Sequence, residues 1–306
     1  MIRMHFRPKR RSSPYLALLA AALLLGPMTG IAQAQEVCTV NGTDVSIGQD
    51  VNGTPGNDLI VCVGVVAGFN IYGHGGDDTI ITTDVTEGGI YGGEGNDTVE
   101  TGALLPTGSG LTATVDGEGG DDDITTGAVA KSDVVDRAGF VTGGSGNDNI
   151  TTGVVTRATV TGAKGADSIT VAALSLGYLS GADDDDTITV VGSIGEFGTT
   201  DGGPGSDQIT VGEYIGGVGG GTGRDRITSL APVLSRATLN GGLDADTIQA
   251  QAIGLGGSIR GEQGDDVIEG LAGLPAEVLA GGRVNGGTGV DVCDVIPLGG
   301  TVTECP

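Results

Sequence analysis

One frame of eight residues repeats twelve times along this chain, and no other feature constrains its fold as strongly. The frame is G-G-x-G-x-D-x-U, with U an apolar residue, as in Gly92-Gly93-Glu94-Gly95-Asn96-Asp97-Thr98-Val99. Copies begin at Gly53, Gly73, Gly92, Gly117, Gly143, Gly162, Gly181, Gly202, Gly220, Gly241, Gly261 and Gly286, at intervals of 18 to 26 residues. Position one is Gly and position six is Asp in all twelve. Position four is Gly except at Asp184 and Asp244, and position eight is Ile or Val until Cys293 ends the series. A period of this length marks a solenoid, in which each repeat is one structural unit that stacks on the next.

A second apolar position lies two residues before each loop. It holds Val51, Ile71, Ile90, Val115, Val141, Val160, Leu179, Val218, Leu239, Ile259 and Val284, with Thr200 the one exception. The alternation around both positions has period two, as strands require. Each unit therefore reads as two short strands joined by a tight Gly-rich loop and a variable connection. The expected fold is all-β: a parallel β-solenoid, or β-roll, of about twelve two-stranded coils. At a strand spacing of ~4.8 Å the stack would be a rod roughly 50–60 Å long.

Parity also places the aspartates. Position six shares the alternation of the buried position eight, so its carboxylate should point into the coil edge. Stacking then lines up Asp58, Asp78, Asp97, Asp122, Asp148, Asp167, Asp186, Asp207, Asp225, Asp246, Asp266 and Asp291. Carboxylates ~5 Å apart would repel by about 3 kcal/mol at an effective dielectric near 20. A hard divalent cation between them reverses the sign. Ca²⁺ suits carboxylate and carbonyl oxygens in flexible geometry, and the glycines let the loop aim its carbonyls inward.

These loops resemble the hemolysin-type calcium-binding repeat, the RTX nonapeptide family, over residues 53–294. Gly53-Thr54-Pro55-Gly56-Asn57-Asp58-Leu59-Ile60 and Gly143-Gly144-Ser145-Gly146-Asn147-Asp148-Asn149-Ile150 carry the likeness well. The resemblance implies a parallel β-roll with Ca²⁺ between equivalent loops, each of the twelve aspartates being a side-chain ligand beside loop carbonyls. Tandem members of that family repeat every nine residues and bind metal on both edges. Here the alternate half-turn lacks the Asp, so one column with at most eleven sites is expected. Family members also leave the cell by a C-terminal signal, and no catalytic or pore-forming domain accompanies these repeats, so their activities are not carried over.

Five basic residues precede the apolar run Leu16–Leu25, which is too short to span a bilayer, and Ala32-Gln33-Ala34 offers a cleavage site. Residues 1–34 read as a secretory signal. The remaining domains are an N-terminal cap (35–52), the repeats (53–294) and a C-terminal cap (295–306). Without the signal, nine Lys and Arg face all 39 acids, a formal charge of −30. Such a surface repels nucleic acid and anionic membrane, and no membrane span is expected. Four cysteines in an exported chain suggest two disulfides. Local pairing, Cys38–Cys62 and Cys293–Cys305, would staple both ends of the stack; cross-pairing or intermolecular linkage are the alternatives.

Three longer intervals put extra residues near Leu104–Thr112, Ala128–Gly139 and Leu271–Gly281, away from the aspartate loops. After cleavage His74 is the sole histidine, and it sits in a loop as a solvated residue. With one His, neither an HExxH-type zinc site nor a Ser-His-Asp triad can be assembled, so no enzyme is expected. The expected function is a secreted, extracellular calcium-binding repeat protein with a structural or interaction role, its partner at the cell surface or in an extracellular matrix. Two rivals are a solenoid enzyme acting on polysaccharide and an ice-binding protein. The latter is suggested by outward Thr125, Thr151, Thr170, Thr189, Thr210 and Thr228.

Overall fold

A computed structural model describes residues 37–46, 48–107, 112–132, 138–214 and 216–305. The secretory signal expected at 1–34 lies outside these residues. The described chain is an all-β parallel solenoid of twelve turns, with one single-turn 3-10 helix at Leu271–Gly273 and no α-helix. Each turn gives one strand to an entry sheet, just before the loop, and one to an exit sheet, just after it. All pairings between successive coils in these sheets are parallel.

Register follows the repeat. In the exit sheet Ile60, Ile80, Val99, Ile124, Ile150, Ile169, Ile188, Ile209, Ile227, Ile248, Ile268 and Cys293 face one another coil by coil. The entry sheet aligns the second apolar rank from Val51 to Val284 in the same way. Thr200 keeps its place in that rank and is fully buried, its hydroxyl without a partner. A one-residue slip would turn every one of these side chains to solvent, which is why the period-two pattern fixes the pairing.

The core is thicker than two ranks. A third set, Val66, Val85, Leu104, Val129, Val155, Leu174, Ile194, Val233, Ile253 and Val278, is also fully buried. Its members pair along the connection side of the coil, directly or as isolated bridges, and in the last coils form a third sheet of Ala252–Ile253, Ala276–Leu279 and Val295–Leu298. The middle coils have the two strands expected from sequence, and this rank becomes a separate sheet only in the last coils. Of the three longer intervals, only Leu271–Gly281 lies wholly within the described residues.

Both ends depart from the repeat. At the start, Val37–Val40 and Thr43–Val45 form a hairpin whose first strand runs antiparallel to Leu59–Val63, which leaves Thr43–Val45 outermost in the exit sheet. Cys38 and Cys62 are direct partners in that pairing and form one disulfide; Cys293 and Cys305 form the other. At the far end the last exit strand has two residues, and Pro297 sits in the outermost strand of the third sheet. A short strand and a proline without an N–H both discourage further strand addition.

The two disulfides close loops of 24 and 12 residues at opposite ends. Each should contribute about 2–4 kcal/mol by restricting the unfolded chain. Reduction is therefore expected to expose backbone amides in residues 37–63 and 292–305 to hydrogen exchange while the middle coils stay protected. Uniform loss of protection along the stack would contradict this.

Candidate metal centre

All twelve position-six aspartates are buried, none more than 4% exposed. The exit strand that starts beside each of them carries the buried position eight, and strand alternation turns position six the same way. One side-chain oxygen has a fixed task. The Asp N–H of each coil donates to Oδ1 of the Asp in the following coil, eleven bonds of 2.7–3.0 Å running unbroken from Asp58 to Asp291.

The other oxygen does not. Oδ2 of Asp78, Asp97, Asp122, Asp148, Asp167, Asp186, Asp207, Asp225, Asp246 and Asp266 is buried without a hydrogen-bond partner. Ten orphaned anionic oxygens in one column are far too many for a folded protein to leave uncompensated. Position one explains where they point. A Cβ at Gly92 would strike Asp97 Oδ2 and the carbonyl oxygen of Gly117, the equivalent glycine one coil on. The same conflict with the loop's own Asp recurs at every position one from Gly53 to Gly286. Glycine is required there to make room for the carboxylate.

Further carbonyl oxygens lie between successive loops. The carbonyls of His74 and Gly76, at positions two and four, lie against Gly93 and Gly95 of the next coil, and those of Glu118 and Gly120 lie against Gly144 and Gly146. This arrangement comes from left-handed backbone at positions two and four in the loops that begin at Gly73 and later. Five non-glycine residues hold that conformation at position two, His74, Glu118, Ala163, Ala182 and Glu262. Among the described residues no three His, Cys, Asp or Glu side chains converge on one point. A cation here would thus take one carboxylate oxygen and several carbonyls. That donor set fits Ca²⁺ and not a thiolate- or imidazole-seeking metal.

Asp58 stands apart from the other eleven. Its Oδ2 accepts the Thr54 N–H within its own loop, and its Oδ1 accepts the Asn41 side-chain amide at 2.5 Å. Asn41, in the hairpin, also takes the Leu59 N–H, so it occupies the place of a preceding loop. Neither Thr54 nor Gly56 is left-handed. Burial pushes the Asp58 pKa up, but these hydrogen bonds outweigh it and leave the net shift downward.

In the other loops the balance goes the opposite way. Burial pushes Asp122 up to about 8 and Asp167, Asp186, Asp225 and Asp246 to about 7, against the pull of the N–H from the coil before. Asp97, Asp148 and Asp207 rise to about 6 for the same reason, and Asp78 and Asp266 move upward as well. A carboxyl whose folded pKa is raised stabilises the fold below its unfolded value of about 4 and loses that contribution as pH climbs through the folded value. Metal-free protein should therefore melt highest near pH 4 and progressively lower from pH 6 to 8. Thermal melts in chelator across that range check the sign; a melting temperature that rises with pH would overturn it.

A second ladder escaped the sequence reading. Asn or Asp occupies position five in seven loops: Asn57, Asp77, Asn96, Asp121, Asn147, Asp185 and Asp265. In every one, Oδ1 accepts the position-five N–H of the following coil, at 2.7–3.0 Å. The two ladders run in opposite senses, one N–H pointing forward and the other back. His74 is exposed, as expected, and its ring stacks on Tyr72.

A crystal structure of a hyperactive, Ca²⁺-dependent, β-helical antifreeze protein from an Antarctic bacterium superposes on this chain with a TM-score of 0.58, covering 82% of this chain and 85% of that one. The two share the solenoid fold. Sequence identity is 22%, so the likeness extends to architecture alone. No family model matches the chain, the RTX repeat included, and no curated protein matches it.

Proposed function

We infer that this is a secreted, non-catalytic calcium-binding solenoid whose fold is completed by a column of Ca²⁺ ions between successive loops. The observation that carries the reading is the set of ten buried, unpartnered Asp Oδ2 atoms, seven of them in loops whose position-one glycine also faces the carbonyl of the equivalent glycine in the next coil. Asp78 to Asp266 would each present that oxygen to the gap ahead. Asp291 closes the column against the carbonyl of Glu304, and Asp58 is tied into the N-terminal cap. Calcium dependence of the structurally similar antifreeze protein supports the reading. Two disulfides suit an oxidising, extracellular setting. Among the described residues no helix is long and apolar enough to cross a membrane.

Isothermal titration of the protein tests the stoichiometry. About ten Ca²⁺ per chain, with individual affinities near 10⁻⁴–10⁻³ M as for extracellular modules, is the expected result. Fewer than about three ions, or equal binding of Mg²⁺, would defeat the column. Mg²⁺ demands tighter octahedral geometry and gives up its waters reluctantly.

Ice binding is a second reading, favoured by one observation. Thr125, Thr151, Thr170, Thr189, Thr210 and Thr228 stand in register as an outward rank of the exit sheet. The neighbouring outward rank is irregular, running Asp123, Asn149, Ser168, Thr187, Gln208 and Arg226, where a flat ice-matching face wants a second regular row. Thermal hysteresis that Thr170→Tyr or Thr189→Tyr abolishes would make this the functional face.

A further inference from the structure

At every joint from Asp58 to Asp291 the position-six residue makes two main-chain bonds to the next coil. Its N–H donates to the next Asp Oδ1, and its carbonyl accepts the N–H of position seven, as Asp58 does from Thr79 and Asp148 from Ser168, both at 2.8 Å. Coil one has no coil before it, and the side-chain amide of Asn41 makes both bonds instead. Its Nδ2 donates to Asp58 Oδ1 at 2.5 Å, and its Oδ1 accepts the Leu59 N–H at 2.9 Å. A carboxamide offers the same donor and acceptor as a peptide group, so Asn41 reproduces the joint that coil one would otherwise lack.

Local structure holds Asn41 in place. Asn41 and Gly42 turn the hairpin with φ of 52° and 75°, the left-handed pair that an Asn-Gly turn supplies. The Asn41 N–H donates to the Leu59 carbonyl at 2.9 Å, and Cys38–Cys62 ties the same two strands. Both oxygens of Asp58 are satisfied by N–H groups, since the Thr54 N–H takes the second, whereas ten other aspartates keep an orphaned oxygen. This first joint is therefore complete without a cation. Among the described residues no side chain completes the last joint in this way, where Asp291 receives the Asp266 N–H. Thr43–Val45, Val37–Val40 and Leu59–Val63 also pair antiparallel. Such local pairing closes short loops and forms ahead of parallel joints that each span a whole coil.

We propose that Asn41 is the positioning residue from which the calcium-dependent fold starts. It completes the first joint without an ion, so residues 37–63 hold their structure in the metal-free chain and the calcium-binding coils assemble onto them. The assignment rests on the calcium column proposed above.

Two measurements on the full chain, disulfides intact, test it. In chelator at pH 8, amides of residues 37–63 should exchange about tenfold more slowly than those of residues 141–229, and Asn41→Ala should abolish the difference. Refolding triggered by Ca²⁺ and followed by stopped-flow circular dichroism should slow about tenfold in Asn41→Ala. Unfolding on chelation should keep its rate, because a contact already formed in the nucleus changes the folding rate alone. Thr303→Ala removes a hydroxyl bonded to the Val284 carbonyl at the opposite end and should leave refolding as it was. Saturating Ca²⁺ should return the Asn41→Ala spectrum to that of the parent, which separates a displaced start from a lost fold. Equal exchange of all coils in chelator, with calcium still restoring the fold, would overturn the assignment alone, as would an Asn41→Ala effect confined to the unfolding rate. Protection of every coil in chelator would defeat the column itself.

Discussion

Removal of calcium at pH 8 should cost this protein most of its β-structure, and its return should restore the fold in one cooperative step. A ligand at a hundredfold excess over its dissociation constant stabilises by about 2.7 kcal/mol per site. Ten gaps with an orphaned carboxylate oxygen would together contribute over 20 kcal/mol on that basis, more than the 5–15 kcal/mol by which a typical domain is stable. Without the ion the same ten oxygens are a liability, because at that pH they are buried anions without a hydrogen-bond partner. Binding and folding are then one equilibrium. Far-ultraviolet circular dichroism during titration with chelator and then Ca²⁺ reads it directly. A spectrum indifferent to excess chelator at pH 8 would remove the ions from any structural role.

The second large effect is expected from Asp167→Asn, and its sign should depend on calcium. Asp167 Oδ1 accepts the Asp148 N–H at 2.8 Å, and an asparagine oxygen can keep that bond. The amide nitrogen would then occupy the place of the orphaned Oδ2 and remove a buried charge that has no hydrogen-bond partner. In chelator the variant should be more stable than the parent by about 1–3 kcal/mol, the cost ascribed to one unsatisfied buried polar group. In saturating calcium it should be less stable by a similar amount, having lost one ion's contribution. Asp183→Asn, at an exposed position three, should change neither state by more than about 0.5 kcal/mol. Paired melts with and without Ca²⁺ decide the matter. Equal effects from the two substitutions would mean that calcium responds to diffuse charge and not to a ligand column.

The fold was readable because twelve copies of one frame each repeat the same parity. Position eight and the position two before the loop stack as the alternation requires, and position six is buried with them. What parity could not reveal is the third apolar rank. Val85, Leu104, Val129, Val155 and Leu174 follow position eight by five residues, whereas Val66, Ile194 and Val233 follow it by six. An odd and sliding offset breaks the period-two rule, because the chain turns a corner between the two positions. Asp58 was likewise indistinguishable by sequence. Its special state comes from Asn41, which lies in the cap, outside any copy of the frame. The position-five ladder did leave a signal, since Asn or Asp stands there in the first five loops. It was obscured by Ala166, Arg224 and Ala245, at which no side chain can accept the bond.

The forward hydrogen bond from one aspartate N–H to the next carboxylate has a bearing on descent. From Asp78 to Asp266 every junction between coils carries this same aspartate hydrogen bond. Excision of residues 168–186 would replace the Asp167–Asp186 and Asp186–Asp207 joints by a single one, from the Asp167 N–H to Asp207 Oδ1. Tandem duplication or deletion of a whole unit in the gene thus leaves both terminal staples and every remaining joint intact. Loss of half a unit would set an entry strand against an exit strand and find no partner. The number of coils could accordingly change by whole units with the aspartate ladder and both disulfides kept.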